Sequence, residues 1–167
     1  MVDCETASSG CDGGYLNMAF EYAKTVGLVS DKIYPYKGKN QQCQTSLINN
    51  NTYKITDYKT CGYGSLCNDD TWYSMLKSGP FVVHMDASSP KMQLYLFGLL
   101  DLTDCKSPNH AIVSNGWDST WVFNTEYIHL RNSWGKTWGE LRIFRVAYKP
   151  NSNKTCFITS TGILPLI

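Results

Sequence analysis

The hydrophobic pattern near the start of the chain predicts one amphipathic helix. Apolar residues recur at spacings of three and four within residues 13–26, and Gly27 follows the last of them. This spacing places them on one face of an α-helix, and glycine is common just after a helix C-terminus. The periodic positions are Leu16, Ala19, Phe20, Ala23 and Val26. We therefore predict a helix over residues 13–26.

The pattern changes after this helix. Residues 29–52 are rich in Lys, Asn, Gln and Gly and have no sustained period, which predicts an ordered loop attached through Cys43. Asp69 or Asp70 can cap a short helix over residues 71–77, which Gly79-Pro80 would end. Short segments rich in β-branched and aromatic residues predict strands over 81–85, 111–116, 126–131 and 141–147. A helix followed by strands indicates an α+β protein with its sheet or barrel in the C-terminal part.

Composition narrows the functional classes. The chain has 167 residues, of which 43% are apolar or aromatic and 17% charged, so it can bury a core. Lys and Arg number 15 against 14 Asp and Glu, and there is no basic run. We therefore predict no nucleic-acid partner and no anionic membrane partner. The longest apolar stretches fall far short of the roughly 20 residues that span a bilayer. The N-terminal residues lack the features of a secretory signal, which we expect upstream if it exists.

The cysteines indicate an oxidising compartment. Seven cysteines are spread along the chain without the close pairs of a zinc ribbon, and the three histidines lie far apart, so we predict no metal site. The sequons Asn50-Asn51-Thr52 and Asn153-Lys154-Thr155 fit disulfide-bonded, secretory chemistry, although sequons also arise by chance. Because seven is odd, at least one thiol is free or pairs with another segment or chain.

One histidine stands out by its surroundings. His110 lies in Asn109-His110-Ala111-Ile112-Val113, at a predicted loop-to-strand junction, and Arg131-Asn132-Ser133-Trp134-Gly135 follows. These two segments closely resemble the histidine and asparagine motifs of papain-like cysteine peptidases. Other matches extend over essentially the whole chain: Val2-Asp3-Cys4, Gly10-Cys11-Asp12-Gly13-Gly14, Tyr34-Pro35-Tyr36, Gly79-Pro80-Phe81 and Gln93-Leu94-Tyr95.

The resemblance implies a fold and an activity. The fold would be the α+β, two-lobed papain-like fold, with residues 1–53 as the remainder of a truncated helical lobe and residues 54–167 as a nearly complete β-barrel lobe with a C-terminal tail. Together they would form one peptidase domain. The activity would be hydrolysis of peptide bonds in polypeptide substrates by a cysteine-type endopeptidase that needs no cofactor. A lysosomal or extracellular location would follow.

The resemblance also assigns roles to residues. His110 would be the acid–base, and the amide oxygen of Asn132 would fix its tautomer and orientation, as the third member of a triad does. Trp134 would cover the bond between them. Gly13 and Gly14 would hydrogen-bond an extended peptide, although they also suit a tight turn before the helix. The full set expected to contact substrate is Gly13, Gly14, Tyr15, Leu16, His84, Asn109, Ala111, Trp134 and Thr161; Leu16 also fits simple core packing.

The family pattern pairs Cys4 with Cys43 and Cys105 with Cys156. Cys61 and Cys67 form an additional pair that is close enough in sequence to bridge locally. Cys11 is left over, and its family partner lies beside the nucleophile.

The chain departs from the family in the nucleophile. The family's cysteine lies in a Gln-Gly-x-Cys-Gly-Ser-Cys-Trp segment, which does not occur in these 167 residues. We expect the chain alone to be inactive, with the nucleophile on a missing N-terminal segment or a separate chain. Three hypotheses remain: part of an active peptidase, a pseudoprotease that binds peptides or a partner, and a translated pseudogene product that does not fold stably.

Two smaller departures concern a turn and a pocket. Leu141-Arg142-Ile143 follows Trp138-Gly139-Glu140, where the family usually has one residue and then Gly-Tyr, so the local hairpin is in question. His84, with Thr161 opposite, replaces a small apolar residue and changes the expected preference for an apolar substrate side chain.

Overall fold

The computed structural model describes residues 1–48, 52–62, 67–149 and 155–167. The chain divides into two compact units, one formed by Met1–Tyr58 with Pro165–Ile167 and the other by Lys59–Leu164. Asn50 and Asn51 of the first sequon, and Asn153 and Lys154 of the second, lie outside the described residues. The two glycosylation sites therefore stay predictions.

The first unit contains the predicted amphipathic helix as α1. The elements of this unit are a 3₁₀ turn (Gly10–Asp12), α1 (Leu16–Thr25), β1 (Leu28–Val29), α2 (Thr45–Ile48) and β2 (Thr52–Tyr53). Helix α1 starts later than the predicted residue 13, because Gly13 has a φ of 110°, outside the helical region. It ends at Thr25, one residue before the predicted residue 26. Gly27 follows the end as predicted; its φ of 97° favours glycine, and its N–H donates to the Tyr22 carbonyl at 3.0 Å.

The segment predicted as an ordered loop is ordered, but it contains short elements that the pattern did not predict. Strands β1 and β2 pair antiparallel at its two ends. Within it, the Tyr34 hydroxyl donates to Asp3 Oδ2 at 2.8 Å and accepts from the Gln44 N–H at 3.2 Å. The Cys4–Cys43 disulfide attaches the segment to the N-terminal residues. Two-residue strands and a four-residue helix are too short to give a periodic signal.

The second unit is built on a seven-stranded sheet. Its elements are β3 (Asp57–Cys61), α3 (Asp69–Ser78), β4 (Phe81–Met85), α4 (Pro90–Gln93), β5 (Leu99–Leu100), β6 (His110–Ser119), β7 (Glu126–Arg131), β8 (Ile143–Ala147), a 3₁₀ turn (Ile158–Ser160) and β9 (Gly162–Leu166). The strand order is β3-β9-β4-β6-β7-β8-β5. Strand β4 pairs antiparallel with β6 and β9, strand β7 pairs antiparallel with β6 and β8, and β5 pairs parallel with β8. The boundary between the two units falls within β3 and β9.

One face of this sheet forms the core of the unit. Along β4 the buried residues alternate with half-buried ones, as expected for a strand with one face covered. Trp72 of α3 packs edge-on against Phe81, with ring centroids 5.2 Å apart, and its indole N–H donates to the Ile158 carbonyl at 3.0 Å. The buried sheet residues include Phe81, Val83, Met85, Ile112, Ile128, Leu130, Phe144, Val146 and Ile163.

The structure corrects the predicted start of α3. Asn68 is the N-cap, and its side chain accepts from the Thr71 N–H at 2.8 Å. Asp69 and Asp70, which we predicted as possible caps, are the first two helical residues. Carboxylates at that position still stabilise the helix through its dipole.

The altered sequence after Trp138-Gly139-Glu140 still forms a hairpin. Strand β8 starts at Ile143 instead of the predicted residue 141. Glu140 and Ile143 exchange backbone hydrogen bonds of 2.9 and 3.1 Å across a two-residue turn. Its central residues, Leu141 and Arg142, have φ values of 55° and 78°. Positive φ at both positions is the pattern of a type I′ turn, which suits hairpins but favours Asn and Gly. Each non-glycine residue in this region costs roughly 1–2 kcal/mol.

Candidate active site

The sheet brings His110 and Asn132 together. His110 is the first residue of β6, and Asn132 directly follows the last residue of β7; these antiparallel neighbours align Val113 with Arg131. His110 Nε2 lies 2.9 Å from Asn132 Oδ1. The same oxygen accepts from the Ser133 N–H at 2.8 Å, so the amide presents its oxygen to the histidine. Nε2 is therefore the donor, and Nδ1 is the nitrogen that can exchange a proton with a reacting group.

Asn132 is held in a buried position. It is 2% exposed, and its backbone N–H donates to the Arg142 carbonyl at 2.8 Å. Within the described part of the chain, its Nδ2 has no hydrogen-bond partner. Burial strengthens the bond that Oδ1 accepts, because the local dielectric is low.

Trp134 packs against the imidazole. Its ring centroid lies 5.2 Å from that of His110 at an interplanar angle of 34°. Trp134 also meets Trp138 edge-on, with ring centroids 5.2 Å apart, and Trp138 in turn packs on Phe144 of the core. The indole of Trp138 donates to the Gln93 carbonyl at 3.2 Å. This aromatic stack ties the position of the imidazole to the core of the second unit.

A buried carboxylate that the sequence analysis missed organises the loop before His110. Asp86 is 4% exposed and follows directly after β4. Its oxygens accept from the backbone N–H groups of Lys106 (2.6 Å), Ser107 (3.2 Å) and Ser88 (2.9 Å). The Ser88 hydroxyl and the Asn109 amide also donate to it. The Ser88 hydroxyl and these backbone donors hold the pKa of Asp86 well below its usual range, and outweigh the opposing effect of burial. A charged residue at the end of an apolar strand is the signal that could have identified it.

The polar atoms of the Asn109 side chain form hydrogen bonds within this network. Its amide group donates to Asp86 and to the Ser88 hydroxyl, at 3.1 and 2.7 Å. Its oxygen accepts from the Ala87 N–H at 2.9 Å. Its backbone N–H donates to the Met85 carbonyl at 2.9 Å. These bonds give Asn109 a role in holding the loop next to His110, and its contact with substrate stays a prediction.

A second network supports the hairpin beside the site. Glu140 Oε1 accepts from the Tyr95 hydroxyl (2.7 Å), the Gly98 N–H (3.0 Å) and Arg145 (2.7 Å). Burial alone would raise the pKa of Glu140, but the hydrogen bonds from Tyr95, Arg145 and Gly98 lower it. Burial, followed by the bond to this carboxylate, raises the pKa of Tyr95 to about 12.

Three predicted substrate residues of the second unit lie together. His84 and Ala111 are directly opposite each other on β4 and β6. Thr161 Oγ1 accepts from the His84 N–H at 3.2 Å and lies 3.3 Å from its Nδ1. His84 is half-buried, and this burial lowers its pKa. A neutral imidazole is therefore favoured at this position.

The predicted substrate residues of the first unit also share one location. Gly13, Gly14, Tyr15 and Leu16 line a hollow of about 230 Å³. A Cβ on Gly14 would come within 2.5 Å of the Ser8 side chain, whereas one on Gly13 would meet no atom within 4 Å. Gly14 therefore permits a close approach to Ser8, and the backbone of Gly13 is open. Tyr15 is 73% exposed.

The cysteines pair as predicted. Disulfides join Cys4 to Cys43, Cys61 to Cys67 and Cys105 to Cys156. Cys11 is exposed and unpaired, and its backbone N–H donates to Asn40 Oδ1 at 2.7 Å. Among the described residues, no three His, Cys, Asp or Glu side chains are placed to hold a metal ion. No helix in the same ranges has the length and hydrophobicity to cross a bilayer.

Comparisons with known proteins identify the family that this chain resembles over nearly its whole length. A family model described as papain family cysteine protease matches residues 1–166. Chymopapain from Carica papaya is 31% identical over 166 residues, which cover 99% of this chain and 46% of the relative. Putative cathepsin L 3 from Paramecium tetraurelia is 39% identical over 142 residues, covering 84% of this chain and 41% of the relative. This chain thus spans about half the length of these curated relatives.

Solved structures confirm the predicted α+β, papain-like fold. The bromelain protease from Ananas comosus, solved in complex with the E64 inhibitor, superposes with a TM-score of 0.85 at 30% identity. The match covers 99% of this chain and 75% of that structure.

Proposed function

Since this chain belongs to the papain family of cysteine proteases, we propose that it provides the acid–base histidine of a peptidase that hydrolyses peptide bonds in polypeptides. The observation that carries the proposal is the 2.9 Å bond from His110 Nε2 to Asn132 Oδ1. This bond leaves Nδ1 as the proton-exchanging nitrogen, and the stack of Trp134 on the ring restrains its orientation.

The imidazole would act twice in one turnover. His110 Nδ1 takes the proton of a cysteine thiol, and the thiolate attacks the substrate carbonyl carbon. The protonated imidazole then donates that proton to the amine that leaves when the peptide bond breaks. Asn132 keeps the ring in one tautomer throughout, as the third member of a catalytic triad does. When water hydrolyses the acyl-enzyme, the same nitrogen acts as the base that takes a proton from the attacking water.

We propose that the nucleophilic thiol comes from a polypeptide segment outside these 167 residues. Six of the seven cysteines form disulfides, and a disulfide sulfur cannot serve as the thiolate. The seventh, Cys11, is exposed in the 3₁₀ turn of the first unit. The family motif that carries the nucleophile does not occur in the sequence. By the same resemblance, Cys11 would pair with a cysteine of that segment.

The proposal extends to substrate contacts and location. The backbone of Gly13 and Gly14 would pair with an extended peptide, and His84, Ala111 and Thr161 would contact one substrate side chain. The three disulfides suit an oxidising compartment, so we propose a lysosomal or extracellular location.

Fusion to a nucleophile-bearing segment tests the proposal. The N-terminal part of the solved bromelain protease, up to the residue aligned with Met1, is joined to this chain, and cleavage of a fluorogenic dipeptide is measured. We expect thiol-dependent activity that a thiol-directed epoxide blocks. His110→Ala should then lower kcat by about 10²–10⁴-fold, the usual contribution of a general acid–base. Asn132→Ala should lower it less, because it removes an orienting group. His129→Ala is the matched control, since this half-buried histidine packs on Tyr127 and should leave kcat within a few-fold.

A measurement on the unfused chain keeps the proposal testable if the fusion does not fold. The ¹⁵N spectrum of the histidine rings should show His110 protonated at Nε2, and this signal should change in Asn132→Ala. A neutral His110 protonated at Nδ1, or a fused enzyme as active after His110→Ala as before, contradicts the acid–base role. Specific peptide binding by a fusion that labels with the epoxide but never cleaves would indicate a non-catalytic binding protein instead.

A further inference from the structure

Three cationic side chains line one surface hollow of the second unit. Arg131, Lys136 and Arg142 surround a space of about 380 Å³, which we name the cationic hollow. The other lining residues are Asn115, Leu141 and Ile143, none of which is acidic. Across the described ranges, none of the three cations takes part in an ion pair. Three unbalanced positive charges in one hollow contrast with a whole-chain net charge of only +1.

The sheet fixes the positions of the two arginines. Arg131 is the last residue of β7 and lies directly opposite Ile143 of β8. Arg142 sits in the two-residue turn that precedes β8, and its carbonyl accepts from the Asn132 N–H at 2.8 Å. Hydrogen bonds therefore fix the backbones of both arginines beside the paired ends of β7 and β8. A fixed backbone restricts where the two side chains can reach, which lowers the entropic cost of binding a ligand in the hollow.

The turn carries strain that local packing does not account for. Leu141 and Arg142 both have positive φ, a region that Asn and Gly occupy at less cost. Leu141 is 80% exposed, so burial of its side chain does not compensate. Strained backbone of this kind is concentrated at functional sites. The turn places the exposed Leu141 side chain in the same hollow as the three cations.

We propose that the cationic hollow binds an acidic peptide segment of a partner protein. Aspartate and glutamate carboxylates match the planar fork of arginine, which binds them through two parallel hydrogen bonds. Leu141 and Ile143 offer apolar surface for a neighbouring side chain of that peptide. A sulfated polysaccharide or a nucleic acid gains most from a long track of cations, and this chain has no basic run. This proposal does not rest on the proposed peptidase activity, and either can fail without the other.

A titration with a defined peptide tests the proposal. The full 167-residue chain is titrated with Ac-Glu-Asp-Leu-Glu-Asp-NH₂ by calorimetry and ¹H–¹⁵N spectra, with Ac-Gln-Asn-Leu-Gln-Asn-NH₂ as the matched neutral ligand. We expect saturable binding of the acidic peptide alone, with shifted amide signals confined to residues around the hollow. Raising the salt from 20 to 300 mM should weaken binding several-fold, because the Debye length is shorter at the higher salt and the charges attract each other less.

Charge-removing variants locate the site. Arg131→Gln and Arg142→Gln should each weaken binding by about 10-fold or more, as for loss of one charge-assisted contact. Lys136→Gln should weaken binding less. Because Lys136 is exposed and lies in a loop, this variant should fold like the wild type. Lys91→Gln removes an equal charge from the exposed surface of α4 and should leave affinity within about two-fold.

Three results would overturn the proposal. The first is equal affinity for the acidic and neutral peptides. The second is equal loss of affinity in Lys91→Gln and Lys136→Gln. The third is tighter binding of a heparin fragment than of the acidic peptide with the same dependence on Arg131 and Arg142, which would assign the hollow to a polysaccharide.

Discussion

Replacing Asp86 with asparagine tests how the loop before His110 is held. The variant keeps the shape of the side chain but removes its charge and turns one oxygen into an NH₂ group. If the NH₂ replaces Oδ1, it faces the donors of Ser88 and Asn109. If it replaces Oδ2, it faces the N–H groups of Lys106 and Ser107. Either orientation leaves at least two donors without an acceptor.

The structure sets the size of the effect. A hydrogen bond to a charged group contributes about 1.5–3 kcal/mol, and Asp86 is only 4% exposed, so solvent cannot easily replace the lost acceptor. Allowing for rotation of the Ser88 hydroxyl and some relaxation of the loop, we expect a loss of about 3 kcal/mol in the free energy of unfolding. At about 2–4 °C per kcal/mol, the midpoint of thermal unfolding should fall by roughly 6–12 °C.

The effect should depend on pH in a defined direction. The folded-state pKa of Asp86 is depressed, so the unfolded chain binds the proton first as pH falls. Stabilisation by the carboxylate is therefore complete above the unfolded pKa of about 4 and declines as pH drops below it toward the folded pKa. The stability difference between wild type and Asp86→Asn should be full at pH 7 and smaller at pH 3.

Urea unfolding followed by tryptophan fluorescence, with the disulfides intact, measures the difference. Asp101→Asn is the control, because it removes an exposed carboxylate paired with Lys149 and should cost no more than about 1 kcal/mol. A loss below 1 kcal/mol for Asp86→Asn, or one that equals the control or stays constant from pH 7 to pH 3, would refute the reasoning.

Two further predictions concern backbone chemistry. The double change Leu141→Asn and Arg142→Gly should stabilise the chain by about 1–2 kcal/mol, because Asn-Gly occupies the left-handed turn with less strain; an unchanged or lower urea midpoint would contradict the strain assigned to this turn. Asn68→Ala should lower the free energy of unfolding by about 1 kcal/mol, because the Thr71 N–H loses its cap. Asp70→Ala should lower it by about half of that or less, since only the interaction of Asp70 with the helix dipole is lost. Equal losses in the same unfolding assay would contradict the assignment of Asn68 as the cap.

The pattern of apolar and polar residues along the chain was sufficient to predict those helices and strands that are long enough to show a period. The spacing of apolar residues predicted α1 over 13–26, close to the observed Leu16–Thr25, with Gly27 just beyond its end. The β-branched and aromatic composition predicted β4 and β7 at their observed bounds. It did not give β3 or β9, which hold their places by pairing with strands distant in sequence. The cap at Asn68 also escaped it, because Asn, Asp and Asp in a row all suit a helix N-terminus.

The motifs around His110 and Asn132 specify which side chains are present and in what local context, so the proposed chemistry of the site can be read from the sequence. The geometry of these side chains depends on the tertiary structure. The 2.9 Å bond depends on the register of β6 against β7, which shifts between Ser114 and Gly116 and which no spacing along the chain encodes. The donors from Lys106, Ser107 and Asn109 that converge on Asp86 likewise lie 20, 21 and 23 positions away along the chain. Local propensity acts over a few residues, whereas a buried carboxylate or an oriented imidazole needs partners that only folding brings within hydrogen-bond distance.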